Sequence, residues 1–173
     1  MSRSFGARAP NLARGPVAGA AAGLAASLAM DLFQKAWTSL AGENSGSQAK
    51  PATLKSADVL ARAAAGRVVR PKAQGAASEA VRCATGLALG AFYGAAVEFA
   101  PAIAAGGGAA FGGVVWLPLD EGLVPVLGLA PPSRETAPRA HAYALASHTV
   151  FGVSLELARA AMARLLRWSP IAG

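Results

Sequence analysis

Four long apolar runs, separated by polar or Pro/Gly-rich segments, dominate the pattern of hydrophobic and polar positions along the chain. The runs cover about residues 16–33, 77–100, 109–129 and 142–165. A helix needs about 20 mostly apolar residues to cross the hydrocarbon of a bilayer. The pattern therefore predicts an all-α polytopic membrane protein that forms one membrane domain with four transmembrane helices.

The first run, PVAGAAAGLAASLAMDLF, has a second interpretation. Arg3, Arg8 and Arg14 precede it, as basic residues precede the apolar part of a secretory signal. However, the run is long for such a segment, and small residues recur in it at every fourth position, which a cleaved peptide does not need. We therefore favour a membrane span.

Glycine recurs at every fourth position in two of the runs. Residues four apart form a ridge along one side of a helix. Glycine on that ridge lets a neighbouring backbone approach closely, which favours helix association inside lipid. The spacing predicts close packing, either between helices of one chain or across a homodimer. The predicted packing residues are Gly15, Gly19, Gly23, Gly86, Gly90, Gly94 and Gly152, and Ser27 and Asp31 continue the first row.

The connector between the first two runs is predicted to contain an amphipathic helix at about 54–66. Asp58 and Arg62, four residues apart, can pair weakly on its polar face. A basic amphipathic helix beside membrane spans is typical of the bilayer interface. The alternative is a helix that packs on the end of the bundle. The predicted apolar face contains Leu54, Ala57, Leu60, Ala61 and Ala64, and the polar face contains Lys55, Asp58 and Arg62.

Two adjacent acids, Asp120 and Glu121, interrupt the third run. If the span covers 103–119, the acids lie at its aqueous end. If it covers 109–129, they lie near the middle of the membrane, where an ionised acid is costly. Pro118 and Pro125 flank the pair, so a broken or kinked helix is expected there.

Ionisable residues also interrupt the other runs. His148 and Glu156 lie well inside the fourth run and share one side of its helix with Gly152. Histidine with carboxylates can relay protons, because their pKa values can be tuned toward neutrality. There are two alternatives to a proton relay: these residues make a purely structural polar contact, or they form no cluster. Glu79 and Arg82, three residues apart, are expected to pair near one end of the second run. The candidate intramembrane cluster is Asp120, Glu121, His148, Glu156 and, in second place, Glu98.

Composition supports a lipid environment. The chain is 54% hydrophobic and 14% charged, whereas a typical soluble domain is about 25% charged. The basic residues behind the net charge of +7 lie mainly between the apolar runs, and no nucleic-acid motif accompanies them, so no nucleic-acid partner is expected. More of these residues lie on the connector side than on the side of the termini, which weakly favours a cytoplasmic connector.

Sequence motifs indicate neither a cofactor nor a catalytic site. Cys83 is the only cysteine, so the chain has no intramolecular disulfide. No zinc spacing, nucleophile elbow or phosphate-binding loop is present. We therefore predict no metal, no cofactor and no catalytic residues.

Several stretches resemble the YagU-like family of bacterial inner-membrane proteins. They are GPVAGAAAGLAASLAMDLFQKAW, PATLKSADVL, GAFYGAAVEFAP, WLPLDEGLVPVLGLAPP and HAYALASHTVFGVSLELAR. The resemblance implies a multi-pass location in the inner membrane. It also implies a polar residue near Asp120, and a last span that begins with glycine and histidine and ends with an acid before basic residues, here His148, Glu156 and Arg159. The family's association with growth in acid would suit a proton-handling cluster.

These observations lead to one main functional expectation. The chain is expected to be a small inner-membrane protein, with the lipid bilayer as its partner and a homodimer as a second possibility. Its polar intramembrane cluster would serve acid response or proton-linked transport. The alternative is a membrane scaffold or interaction protein without transport or catalysis. A membrane enzyme acting on a lipid-soluble substrate is a third class.

Overall fold

The fold is built from α-helices. The structure is a computed structural model that describes residues 14–40, 52–123, 126–129, 135 and 137–168, without the side chains of residues 52, 120 and 166–168. Helix accounts for 89% of the described residues, and none of them lies in a strand. The predicted all-α class is therefore confirmed.

Three short helical turns accompany the main helices in the described part of the chain. A 3-10 turn, Pro71–Ala73, leads into the third helix, and another, Pro101–Ala104, follows it. A π-helical turn, Leu119–Leu123, continues the fourth. The helices are α1 (Arg14–Leu40), α2 (Ala52–Ala65), α3 (Gln74–Phe99), α4 (Ala109–Pro118) and α5 (Pro138–Trp168).

The glycine rows of α1 and α3 pack directly against each other in antiparallel orientation. A Cβ on Gly19 would overlap the Gly90 carbonyl oxygen, and a Cβ on Gly90 would lie 2.8 Å from the Cα of Gly23. In both positions the Cβ would lie closer to backbone atoms than side chains tolerate, so only glycine permits this approach. The six glycines predicted in these two helices therefore pack within the chain. Any homodimer would have to use other surfaces.

A second close contact joins α4 to α5. A Cβ on Gly112 would lie 2.8 Å from the carbonyl carbon of His148, and one on Gly152 would lie 2.8 Å from the Gly112 nitrogen. Gly108, which precedes α4, has φ +83° and also lies against Gly152. The prediction that Gly152 packs closely is confirmed, and its partners are Gly108 and Gly112.

The apolar core lies where α1, α3, α4 and α5 meet. Tyr93 and Leu155 are fully buried there, together with small residues of α1 such as Ala22. The rings of Tyr93 and Phe111 are 4.6 Å apart between centroids and inclined at 51°, a favourable tilted arrangement. The residues of α1 that are buried are all small, namely glycines, alanines and Ser27.

The predicted connector helix is present as α2, which packs against α3. Leu54 and Ala57 are buried, as the predicted apolar face requires, but Leu60 is 61% exposed and Asp58 only 8% exposed. The assignment of Asp58 to a solvated polar face was therefore wrong. Its carboxylate accepts a hydrogen bond from the Val69 N–H at 2.9 Å, because the chain turns back toward α2 after its C-terminal glycine.

Two of the described helices are long and apolar enough to cross a membrane, α1 and the helical segment Pro71–Phe99. The most apolar windows of these segments are only 33% and 28% buried, whereas the core helix of a soluble protein is mostly buried. α4 has 10 residues and extends about 15 Å at 1.5 Å per residue, roughly half of the hydrocarbon thickness. The α-helix ends at Pro118, near the predicted break, and the π-helical turn continues the backbone from there.

Candidate functional site

A half-buried ion pair extends the glycine rows by one step. Asp31 follows Ser27 on the ridge of α1, and Arg82 precedes Gly86 on the ridge of α3. The Arg82 guanidinium donates to the Asp31 carboxylate. Lys35 Nζ lies 2.5 Å from the other Asp31 oxygen, and Arg82 Nε lies 3.6 Å from Glu79 Oε2. The expected Glu79–Arg82 pair is therefore present, and Asp31 is the closer partner of the guanidinium.

A cavity of about 500 Å³ lies beside this ion pair, between α1, α2, α3, α5 and the π-helical turn. One part of its wall is polar and charged, and the other is made of large apolar side chains. The polar part includes Asp31, Gln34, Thr53, Arg82, Thr85 and His148. The apolar part includes Met30, Leu89, Leu119, Leu123, Leu127 and Phe151.

His148 reaches the cavity from the middle of α5. Its Nδ1 lies 3.0 Å from the Ala144 carbonyl oxygen, one helical turn earlier. A carbonyl can only accept, so Nδ1 carries the proton, and in the neutral ring the lone pair is then on Nε2. The backbone contact fixes the ring's orientation and tautomer, as a histidine in a proton-handling or binding site requires.

Glu121 lies in the π-helical turn and contacts α5. Its Oε1 is 2.5 Å from His141 Nδ1, and the two side chains are 18% and 28% exposed. A π-type turn places one extra residue in the helical backbone and redirects the side chains that follow. The turn after Pro118 thus brings this acid to a histidine that lies in the first turns of α5.

Glu156 belongs to a different group, about two turns further along α5 than His148. Arg159 donates to both of its carboxylate oxygens, at 2.7 and 2.6 Å, and the Tyr93 hydroxyl donates at 2.9 Å. Glu98 is close enough to add a favourable interaction with Arg159. A bidentate guanidinium together with a phenol strongly favours the ionised carboxylate.

The structure therefore divides the predicted cluster. Glu156 and His148 are eight residues apart on α5, or about 12 Å along the helix axis at 1.5 Å per residue. All hydrogen bonds of Glu156 within the described residues go to Tyr93 and Arg159. Glu121 pairs with His141, and His148 lines the cavity. The side chain of Asp120 lies outside the described part of the chain.

Several residues of these groups were not among the predicted site residues. His141 and Tyr93 carry no sequence signal that distinguishes them from packed core residues. Asp31 and Arg82 do carry one, because each continues a glycine row at the spacing of four. An antiparallel alignment that pairs the glycines also pairs these two charges.

Among the described residues, no group of three or more His, Cys, Asp and Glu side chains is arranged to hold a metal ion. The indole N–H of Trp116 is buried and has no hydrogen-bond partner among the described residues. Comparison with family models, with curated proteins and with solved structures finds no match to this chain.

Proposed function

We propose that the chain is a small multi-pass protein of a bacterial inner membrane, with four spans formed by α1, α3, the α4 region and α5. The support is the chemistry of the outward faces. On α1, Val17, Leu28 and Leu32 are 70%, 58% and 67% exposed, and on α3 Phe92 and Phe99 are 66% and 67% exposed. Large apolar side chains outside and ion pairs inside fit lipid as the surrounding solvent.

Within that setting, we propose proton-linked transport or acid response as the function. The observation that carries it is the 2.5 Å contact between Glu121 and His141 at the π-helical turn. A carboxylate and an imidazole in contact can exchange and pass a proton near neutral pH. His148 lies further along the same face of the bundle and lines the cavity. Glu156 is less suited to this role, because Arg159 holds it as an ion.

Proton movement can be measured with the full chain in liposomes that contain a pH-sensitive dye. We expect the wild type to dissipate an imposed pH gradient faster than empty liposomes do. Glu121→Gln and His141→Gln should each abolish the difference, because neither amide titrates. Glu79→Gln is the matched control: Glu79 is 48% exposed at the margin of the Asp31–Arg82 pair, and its loss should leave the rate unchanged.

Two results would overturn the proton-linked proposal. One is a wild-type rate equal to that of empty liposomes at every pH tested. The other is a rate that is unaffected by Glu121→Gln and His141→Gln in proteins that are folded and inserted. Either result would favour the scaffold alternative. Under that alternative these substitutions change only folding yield or association with other membrane proteins.

The exposed side of α2 fits the membrane interface. We define the basic α2 surface as Val59, Leu60, Arg62, Val68, Arg67 and Arg70. Val59, Leu60 and Val68 are 55%, 61% and 43% exposed, and the three arginines are exposed beside them. Apolar side chains that enter the headgroup region beside basic residues are typical of a helix that lies on anionic lipid. We therefore propose that α2 packs on α3 with one face and contacts the bilayer surface with the other.

A further inference from the structure

We propose that the cavity beside Asp31 and Arg82 binds an uncharged amphiphile, a molecule with a hydrogen-bonding head and one apolar chain. The head would lie against the polar wall and the chain against the leucines of the opposite wall. This goes beyond proton handling, because it assigns a ligand to a different set of residues. It shares with the proposed function only the membrane setting, which would supply such a molecule.

The charges in the wall argue for a head without net charge. Asp31 and Arg82 line the cavity and are bonded to each other. Lys35 and Glu79 lie at opposite ends of the same pair, so the network contains two acids and two bases. A charged head would enter an apolar space without a counter-charge to neutralise it, which is costly.

The polar wall can still bind a neutral head. The hydroxyl of Thr85, the amide of Gln34 and the imidazole of His148 all line the cavity. Hydroxyl, amide and imidazole groups offer hydrogen bonds to an alcohol, ester or carbonyl without requiring it to be charged. A few polar groups in a mostly apolar pocket are the usual means of orienting a small ligand.

The apolar wall and the size of the cavity fit one chain. Leu89 of α3, Leu119 and Leu123 of the π-helical turn and Phe151 of α5 lie on this side. The volume of about 500 Å³ falls within the range of roughly 300–1,000 Å³ that holds small molecules. The space corresponds to about 17 molecules of liquid water at roughly 30 Å³ each, which is too small for a lipid with two long chains.

Binding can be tested on the full chain in phosphatidylcholine nanodiscs with three probes of equal chain length. The probes are a monoacylglycerol, the corresponding fatty acid anion and an alkyltrimethylammonium. We expect the monoacylglycerol to bind at least about tenfold more tightly than either charged probe, since only the charged probes introduce an unpaired charge. Leu89→Trp should abolish that binding by filling the cavity. Leu87→Trp, whose side chain is 39% exposed on the same helix, should preserve it.

A second variant keeps the test informative if Leu89→Trp does not fold. Asp31→Asn leaves the two basic groups without their shared acid, so it should shift the preference toward the fatty acid anion. The proposal is overturned if all three probes bind equally, if the charged probes bind best to the wild type, or if Asp31→Asn leaves the preference unchanged. These outcomes are independent of the proton flux measured in liposomes, so failure of one proposal is distinguishable from failure of the other.

Discussion

Replacing Gly90 by alanine tests the close packing of α1 on α3 near the middle of the glycine rows. The added Cβ would overlap the Gly19 carbonyl oxygen and lie 2.8 and 2.9 Å from the Cα and N of Gly23. All three neighbours are backbone atoms, so no side chain can rotate away. Carbon atoms pack best at about 3.5–4.0 Å, so the two helices must separate by roughly 1 Å.

The expected cost follows from that separation. A gap of about 0.5–1 Å removes roughly a quarter to a half of the dispersion energy of the contacts affected. Overpacking of a close contact typically costs about 1–3 kcal/mol. Alanine regains about 0.5–1 kcal/mol through its better helix propensity. We therefore expect Gly90→Ala to lower the free energy of unfolding by about 0.5–2 kcal/mol.

Gly75→Ala provides the matched control. Gly75 lies in the first turn of the same helix, and a Cβ there would meet nothing within 4 Å. Alanine should therefore stabilise the protein by about 0.5–1 kcal/mol. The free energy of unfolding can be measured by titration of the protein in mixed micelles with a denaturing detergent, with helix content followed by circular dichroism. If Gly90→Ala proved as stable as Gly75→Ala, the close backbone contact would not exist.

Three further predictions concern the polar groups. Arg159→Met leaves the Glu156 carboxylate without its guanidinium and should cost about 3 kcal/mol of unfolding free energy. Tyr93→Phe removes one hydrogen bond to the same carboxylate and should cost about 1.5 kcal/mol. A larger cost for Tyr93→Phe than for Arg159→Met would contradict the bidentate geometry. Asp58→Ala should accelerate hydrogen exchange at the Val69 amide by removing its acceptor, and Asp58→Asn, which keeps a carbonyl, should largely preserve protection. Replacing the three arginines of the basic α2 surface by glutamine should reduce retention of phosphatidylglycerol relative to phosphatidylcholine, by about 1 kcal/mol per charge, and equal retention would exclude an anionic contact.

Glycine spacing predicted more of this fold than any other sequence feature. The rows that contain Gly19 and Gly90 were expected to pack closely, and they do so against each other. Spacing cannot reveal whether the partner helix belongs to the same chain, because the same ridge fits either. The two rows can pack within one chain because the connector allows α1 and α3 to lie antiparallel.

The polar residues were harder to place from sequence. His148 and Glu156 share one side of α5, which predicted a common cluster, but Arg159 lies three residues from Glu156 and can pair with it locally. The tertiary contacts of Tyr93 complete that separate group. Pro118 predicted a break in the third run, but not a π-helical turn. The geometry of this turn depends on α5, which supplies His141 as the partner of Glu121.

The ion pair at the end of the glycine rows also selects one alignment of α1 and α3. A repeat every four residues is degenerate, since a slide of α3 by about 6 Å would bring each glycine opposite the next one and leave the close contact almost intact. Such a slide would break the Arg82–Asp31 pair and leave each charge only the partner on its own helix, Lys35 for Asp31 and Glu79 for Arg82. The two charges thus distinguish helix offsets that the glycines alone cannot tell apart, and neutralising both of them together should permit a mixture of shifted bundles.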